Sequence, residues 1–384
     1  MRNAVIVDAV RTPFGKYGGS FRELHPQDLA AKPLQGLEER NGFDPEVVDD
    51  VIYGCVTPIG EQGLNIGRLA PMVAGWGDVV PGVQLNRFCG SGQQAVNFGA
   101  GMVMSGQQDV VVAGGVEHMT RVEMGSDGSD DDLADTYFEE FEKKVTQGEA
   151  AELIAEKWDF TREEMDQLAV DSQQRWGDAW EEGRYDDQIV PVETELDGEE
   201  VVVERDEHPR PGTDLDTLSD LPLAFREEGN GVHHAGNSSG IVDGSSALLI
   251  TSEEIAEERG WDPMARIVET QAVGSDPVLM LTGPIPATEQ VLEQADMDID
   301  DIDLFEVNEA FASVAAAWME ETGAPWAKTN VNGGAIAHGH PLGATGGALV
   351  GKLAHELQRT GADYALSTMC IGFGQGIATI IERV

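Results

Sequence analysis

Three cysteines occur in 384 residues, and two of them stand before glycines: Cys89 in "NRFCGSG" and Cys370 in "CIGFGQG". A cysteine at a strand-to-helix turn has its sulfur near the free N–H groups of a helix start, which together with the helix dipole favour the thiolate. Cys89 fits that position. Its alternative reading is the usual one for a free cysteine, a small buried hydrophobe. The glycine-rich run "GGAIAHGHPLGATGG" carries His338 and His340, which share a side if the stretch is extended. With no acidic residue in that run, a general base is a better reading than a metal ligand. The alternative is a pair of histidines hydrogen-bonded in a buried loop. In "EVNEAF", Asn308 and Glu309 follow a strand pattern and could orient a water or a histidine. Cys55 ends an apolar run and is read as packing.

The elements that would carry these residues alternate. Strand-like runs at 4–10, 49–56, 81–87 and 109–115 are short, β-rich and bounded by Gly, Pro or Asn. Between the last two, residues 90–107 repeat apolar positions at helical spacing. The alternation predicts an α/β fold with parallel, buried strands. The second half repeats the plan: a strand entering "NEAF" over 301–312, a partner of 81–87 at 328–334, a turn and helix over 338–358 and a strand at 362–369. From Val51 to Cys89 is 38 positions, and from Asp303 to His340 is 37. Two copies of one α/β unit, each with a reactive side chain at the same turn, account for this. The expected domains are 1–117 with 242–262 as the nucleophile half, 118–241 as an insertion, and 263–384 as the second half. The insertion is polar, acidic and rich in helix formers, with "TREE" as a capping box.

Composition narrows the setting. Seventy acidic residues against twenty-four basic ones give a net charge of −46, and only seven of the bases are lysines. Dispersed acids of this number argue against nucleic-acid binding. They suit a high-salt cytoplasm, where screening over about 3 Å at molar salt removes the self-repulsion. No apolar run reaches the ~20 residues needed to cross a bilayer, so no membrane association is expected. The first residues read as a strand rather than a signal peptide. With no CxxC pair, neither a disulfide scaffold nor a structural zinc site is expected.

The blocks "NRFCGSG", "GGVEHM", "AGNSSGIVDG", "NEAFA", "GGAIAHGHPLGATG" and "CIGFGQG" resemble the signature blocks of the thiolases, and the resemblance runs along essentially the whole chain. It implies two duplicated α/β halves in a layered αβαβα core, with a mostly helical loop domain over the coenzyme A site. It implies Cys89 as the acylated nucleophile, His340 as its base and Cys370 as the acid–base at the α-carbon. Asn308 would hold an oxyanion water beside His340, and the N–H groups of Cys89 and Gly372 would form the second oxyanion site. Arg210, Ala235, Ser239, Met280, Phe311 and His338 would contact CoA or its acyl arm. Coenzyme A would be a substrate, with no permanently bound cofactor and no metal. The implied reaction is ping-pong thiolysis of 3-ketoacyl-CoA, with Claisen condensation as its reverse. "YGCV", "EQGLNIGR" and "GGVEHM" lean to the degradative, β-oxidation type over a biosynthetic acetoacetyl-CoA thiolase. A non-catalytic CoA-binding relative is the alternative of another class; a carrier-protein-dependent ketoacyl synthase is disfavoured by Cys370 and Asn308. A homodimer or homotetramer is expected, with possible association with other β-oxidation enzymes. Thr146, Gln147, His233, His234 and Leu281 depart from the family pattern and put the acyl pocket's specificity in question.

Overall fold

Alternating residues of the central strands face two different helical layers, and this fixes the architecture. The computed structural model describes residues 2–129, 132–141, 144–227 and 229–384. In the first half, β1 (Ala4–Arg11), β3 (Asp50–Gly54), β4 (Gly82–Leu85), β5 (Val110–His118) and β8 (Val242–Ser252) lie side by side in the order β1-β8-β5-β3-β4, with the two-residue β2 (Gly15–Lys16) beside β8. Val110, Val112, Ala247 and Leu249 face an outer layer that includes α1 (Pro26–Asn41) and α2 (Ile66–Val73). Their neighbours Val111, Ala113, Leu248 and Ile250 face a middle layer. That layer is α3 (Ser91–Ser105) and α12 (Leu342–Thr360), which contribute Ala95, Val96, Ala100, Val103, Val350, Leu353, Ala354 and Leu357.

The second half supplies the other sheet. β9 (Ala265–Gly274), β10 (Leu304–Val307), β11 (Tyr364–Ile371) and β12 (Gln375–Arg383) run in the order β10-β11-β12-β9. Ala265, Ile267, Ala365 and Ile381 face the middle layer. Leu366, Ala378 and Ile380 face an outer layer with α9 (Pro284–Ala295), α10 (Ala312–Thr322) and α6 (Arg162–Glu181). The result is helix, sheet, helix, sheet, helix. The two sheets touch at one corner, where Val5 and Ile6 of β1 meet Arg266 and Ala265 of β9.

The duplication is visible strand by strand. In chain order each half reads third-second-fourth-fifth-first. In the second half the third strand shrinks to a single parallel bridge, Phe305 to Thr329. Residues 328–334 thus stand where a partner of 81–87 was expected, but they form no strand. The expectation of parallel strands needs correction too. Among the described strands, the pairs β3–β4, β3–β5 and β10–β11 are parallel, whereas β1–β8, β5–β8, β9–β12 and β11–β12 are antiparallel. The fifth strand of each half returns across the sheet to pair with the first, which a crossover helix cannot impose.

Between β5 and β8 the insertion carries α4 (Asp135–Phe141), α5 (Gln147–Lys157), α6 and α7 (Leu215–Ser219), and the expected capping box of Thr161 and Glu164 opens α6. It also holds a hairpin that was not expected, β6 (Val192–Leu196) with β7 (Glu199–Val203). Asp197 and Gly198, both at positive φ, make its turn. Among the described residues no helix is long and apolar enough to cross a membrane.

Candidate active site

Cys89 stands at the turn from β4 into α3, and the turn is clamped by its neighbours. Ser91 Oγ accepts from the Arg87 N–H (2.9 Å) and donates to the Phe88 carbonyl (2.6 Å). Asn86 Oδ1 accepts from the Phe88 N–H (2.8 Å). Phe88 takes φ of +45°, a strained value for an aromatic residue, and the next residue is thereby turned toward the interior. The Cys89 thiol is buried against Met119, Leu342 and Ile371. Burial pushes its pKa up to about 11, opposed by hydrogen bonds from its own N–H, from the Gly372 N–H and from the Gln147 carboxamide.

His340 reaches the same region from the other half. Residue 343 begins the glycine contacts that permit it. A Cβ on Gly92 would lie 2.6 Å from the Gly343 carbonyl and 2.9 Å from the Gly347 nitrogen, and one on Gly346 would lie 2.2 Å from the Gln93 nitrogen. The starts of α3 and α12 therefore touch backbone to backbone. Buried Glu117 locks the contact by accepting from the N–H groups of Val56 (2.8 Å), Thr57 (3.1 Å) and Gly343 (3.0 Å) and from Gln62 Nε2 (2.9 Å). Lys352 ties the glycine-rich loop to β10 through the Gly333 carbonyl (2.6 Å) and Glu306 (2.8 Å).

His340 itself is held at Nδ1 by Thr345 Oγ1 (2.7 Å), with Nε2 facing Asn308 Nδ2 at 3.4 Å. Burial drops its pKa to about 4, so the ring is neutral and able to take a proton near neutrality. Asn308 is fixed by its N–H on the Thr368 carbonyl (3.0 Å), and its Oδ1 is buried with no partner among the described residues. Cys370, at the end of β11, packs with Met280, Ala310 and Phe311. Burial raises its pKa, and the neighbouring Cys89 raises it further. Gly372 follows in the turn to β12, where Phe373 and Gly374 take positive φ.

A cavity of about 630 Å³ opens onto this set. Phe88, Met119, Gln147, Met280, Phe311, His340, Leu342 and Gly372 line it, along with Ser239 and Gly240. Cys89 and Cys370 are buried in the clusters to which that lining belongs, Cys89 with Met119 and Leu342 and Cys370 with Met280 and Phe311. Ser239 is held by its N–H on the Ala310 carbonyl (3.0 Å). Among the described residues no group of three His, Cys, Asp or Glu side chains could hold a metal ion.

Three of the expected contact residues are not part of that cavity's lining. His338 does not share a face with His340. The stretch is one helical turn, α11 (Ala335–His338), followed by Gly339 at φ +89°, so His338 packs on Phe14 (5.6 Å between rings) with Nδ1 bonded to the Gly339 carbonyl. Ala235 is exposed in a turn. Arg210 is exposed as well, its guanidinium turned back to the His208 carbonyl (2.6 Å). Glu309 orients no catalytic group; it accepts from Ser172 Oγ (2.6 Å), Asn330 Nδ2 (2.8 Å) and the Ile336 N–H (3.2 Å), joining the glycine-rich loop to α6.

The unusual histidines are structural. His234 pairs with Asp166 (2.6 Å), and His233 bonds Ser313 (2.8 Å) and stacks edge-on behind Phe311 at 5.6 Å. Leu281 is buried beside Met280 and Cys370. Thr146 and Gln147 do line the cavity. Phe88, Met119 and Glu117 were missed. Glu117 had a signal, a lone acid inside the apolar "VVVAGGVEHM", which must find donors once buried.

A buried thiol at a helix start, a neutral histidine and a second thiol, brought together by two copies of one α/β unit, define an acyl-transfer enzyme working through a cysteine. Residues 4–254 match the thiolase N-terminal domain and 261–383 the thiolase C-terminal domain. The chain belongs to the thiolase family, acyltransferases for which coenzyme A is a substrate. It is 45% identical, over all of its length and 95% of the relative's, to a steroid 3-ketoacyl-CoA thiolase of Mycobacterium tuberculosis. Over the full length of both chains it is 44% identical to the 3-oxoadipyl-CoA/3-oxo-5,6-dehydrosuberyl-CoA thiolase of Escherichia coli. Among solved structures, Bacillus anthracis acetyl-CoA acetyltransferase superposes with a TM-score of 0.92 at 39% identity, covering 100% of this chain and 99% of that one. Human mitochondrial 3-ketoacyl-CoA thiolase gives 0.91 at 36%, with the same coverage.

Proposed function

We propose that the enzyme cleaves 3-ketoacyl-CoA of the degradative kind, with Cys89, His340, Cys370, Asn308 and Gly372 as its catalytic set. The observation that carries this is the buried Cys89 thiol at the start of α3, beside a cavity that His340 and Gly372 both line. The thiol is protonated at rest, so its proton passes to His340 as the sulfur attacks the C3 carbonyl. Charge develops on that oxygen between the two N–H donors, each typically worth about 10²–10³ in rate. Collapse breaks the C2–C3 bond and leaves the acyl group on sulfur. The electron pair passes to the acetyl-CoA enolate, whose oxygen faces His340 and Asn308, and Cys370 gives its proton to the α-carbon. The thiol of a second CoA then gives its proton to the Cys370 thiolate and attacks the thioester; the C–S bond to Cys89 breaks, the Cys89 sulfur takes back the proton held by His340, and acyl-CoA is released. Ser239, Met280 and Phe311 are proposed to line the acyl and pantetheine path. Incubation with an acyl-CoA is expected to leave the acyl mass on the peptide holding Cys89; label on Cys55 refutes the assignment.

A chain longer than acetyl is supported by the apolar breadth of the cavity and by the relatives named for 3-ketoacyl and 3-oxoadipyl substrates. Acetoacetyl-CoA synthesis is the second reading, favoured by the likeness to an acetyl-CoA acetyltransferase. Thiolysis rates over a ladder of 3-ketoacyl chain lengths separate the two. The domain division at 1–117 with 242–262, 118–241 and 263–384 belongs to this proposal, as does a high-salt cytoplasmic setting. So does a homo-oligomer formed through the first half. Its support is β4, which ends the sheet with Val83 exposed, and the further exposed apolar side chains Leu64 and Phe98 of the same half. A monomer by light scattering at molar salt refutes it. Association with other β-oxidation enzymes is left to pull-down at molar salt.

A further inference from the structure

Gln147 begins α5, a helix of the insertion, yet its side chain lies in the reaction centre. Thr146 caps the helix by accepting from the Glu149 N–H (3.3 Å). Gly148 lets the Phe225 ring approach so closely that a Cβ there would lie 2.1 Å from it. Arg226 grips Glu149 with two bonds of 3.0 and 2.8 Å. Cap, ring contact and ion pair together hold residue 147 at the cavity wall. Its Nε2 lies 3.6 Å from where a Cβ of Gly372 would stand, and that same point is 3.6 Å from the ring of Phe88, the residue before Cys89.

We propose that Gln147 is a direct partner of the nucleophile, its carboxamide N–H donating to Cys89 Sγ and completing, with the N–H groups of Cys89 and Gly372, a three-donor cradle. This rests on Cys89 as the nucleophile. The two backbone donors are fixed by the fold, whereas the third is a choice of side chain on a separate element. Burial opposes the thiolate at this position, and a donated hydrogen bond acts against that penalty. The cradle thus couples the insertion to the chemistry: when α5 seats, the nucleophile gains a donor. The same N–H is lost when any apolar residue stands there.

The test is the rate of iodoacetamide alkylation of Cys89 at pH 8, located by peptide mass, on the full chain and on Gln147→Met. Methionine matches glutamine in length, so access is kept while both amide donors go. A hydrogen bond to a charged group is lost, and alkylation is expected to slow about tenfold, with a similar fall in kcat/KM for thiolysis. Alkylation of Gln147→Met at the parent rate overturns the proposal. If that variant fails to fold by circular dichroism, the near-isosteric Gln147→Glu decides. It removes the donors and sets a carboxylate beside the thiol, so its alkylation is expected to be slower than the parent's; an equal or faster rate overturns the proposal. The underlying assignment fails by a different result, thiolysis surviving in Cys89→Ala.

Discussion

Gly92→Ala probes the joint between the two reactive helices. The added Cβ would meet the Gly343 carbonyl at 2.6 Å, whereas ordinary contact begins near 3.4 Å. Backbone stands on both sides of the contact, so no flexible side chain can move aside. The start of α3 must retreat from α12 by roughly 0.8 Å, the difference between those distances. Cys89 rides on that start and His340 on the other, so nucleophile and base part by a similar amount. A displacement near 1 Å in a reacting pair costs on the order of 10²-fold in rate. Overpacking adds about 1–3 kcal/mol of lost stability. The control is Gly101→Ala on the same helix, where an added Cβ meets nothing within 4 Å. It is expected to keep activity and gain up to about 1 kcal/mol from helix propensity. Both variants are read by thiolysis kinetics and urea unfolding. Gly92→Ala with the parent's kcat refutes the reasoning, whatever its stability.

Cys370→Ala is expected to retain slow acylation of Cys89 from a simple acyl-CoA, read by mass, while thiolysis falls a further ~10²–10⁴-fold; equal losses in both count against the α-carbon role. Buried His233 has its pKa lowered to about 4 from 6.5, so the folded state is favoured most above pH 6.5 and loses that advantage as pH falls toward 4. Between pH 7 and pH 5 the parent is expected to lose about 2 kcal/mol more stability than His233→Gln in urea titrations, and parallel pH dependences would contradict this. With a net charge of −46, the unfolding temperature is expected to rise steeply from dilute buffer to molar KCl; a midpoint indifferent to salt counts against the high-salt setting.

Much of this geometry was legible in the sequence because its signals are local. The turn at Cys89, the glycine run before α12 and the capping box at Thr161 each need only neighbouring residues to be read. The near-equal intervals to Cys89 and His340 exposed the duplication, since both count from the second strand of a half. The β6–β7 hairpin also had a local signal, "LDGEEVVV", masked by the acidic, helix-forming residues around it. His338 was misread because an extended stretch was assumed where α11 makes a turn. Strand direction was misread because the fifth strand's return depends on packing between the halves. Gln147 was legible as a departure at the acyl pocket, but its place beside Gly372 was not. It depends on how Phe225, Arg226 and α5 seat on the core, contacts separated by many residues.

The two halves close their sheets differently. In the first, β4 ends the sheet as a strand with its outer edge open. In the second, the corresponding position is a single bridge at Thr329, and Arg175 of α6 occupies what remains. Its guanidinium takes the carbonyls of Thr329 (2.6 Å) and Trp326 (3.1 Å) and lies 4.0 Å from the Trp326 ring centre. The insertion thus spends one of the chain's scarce cations blocking one of its two sheet ends. A molecule with two open ends could add copies head to tail without limit. With one open end, the proposed strand pairing would join like to like across a two-fold axis and consume both edges at once. Growth by that route would stop at two.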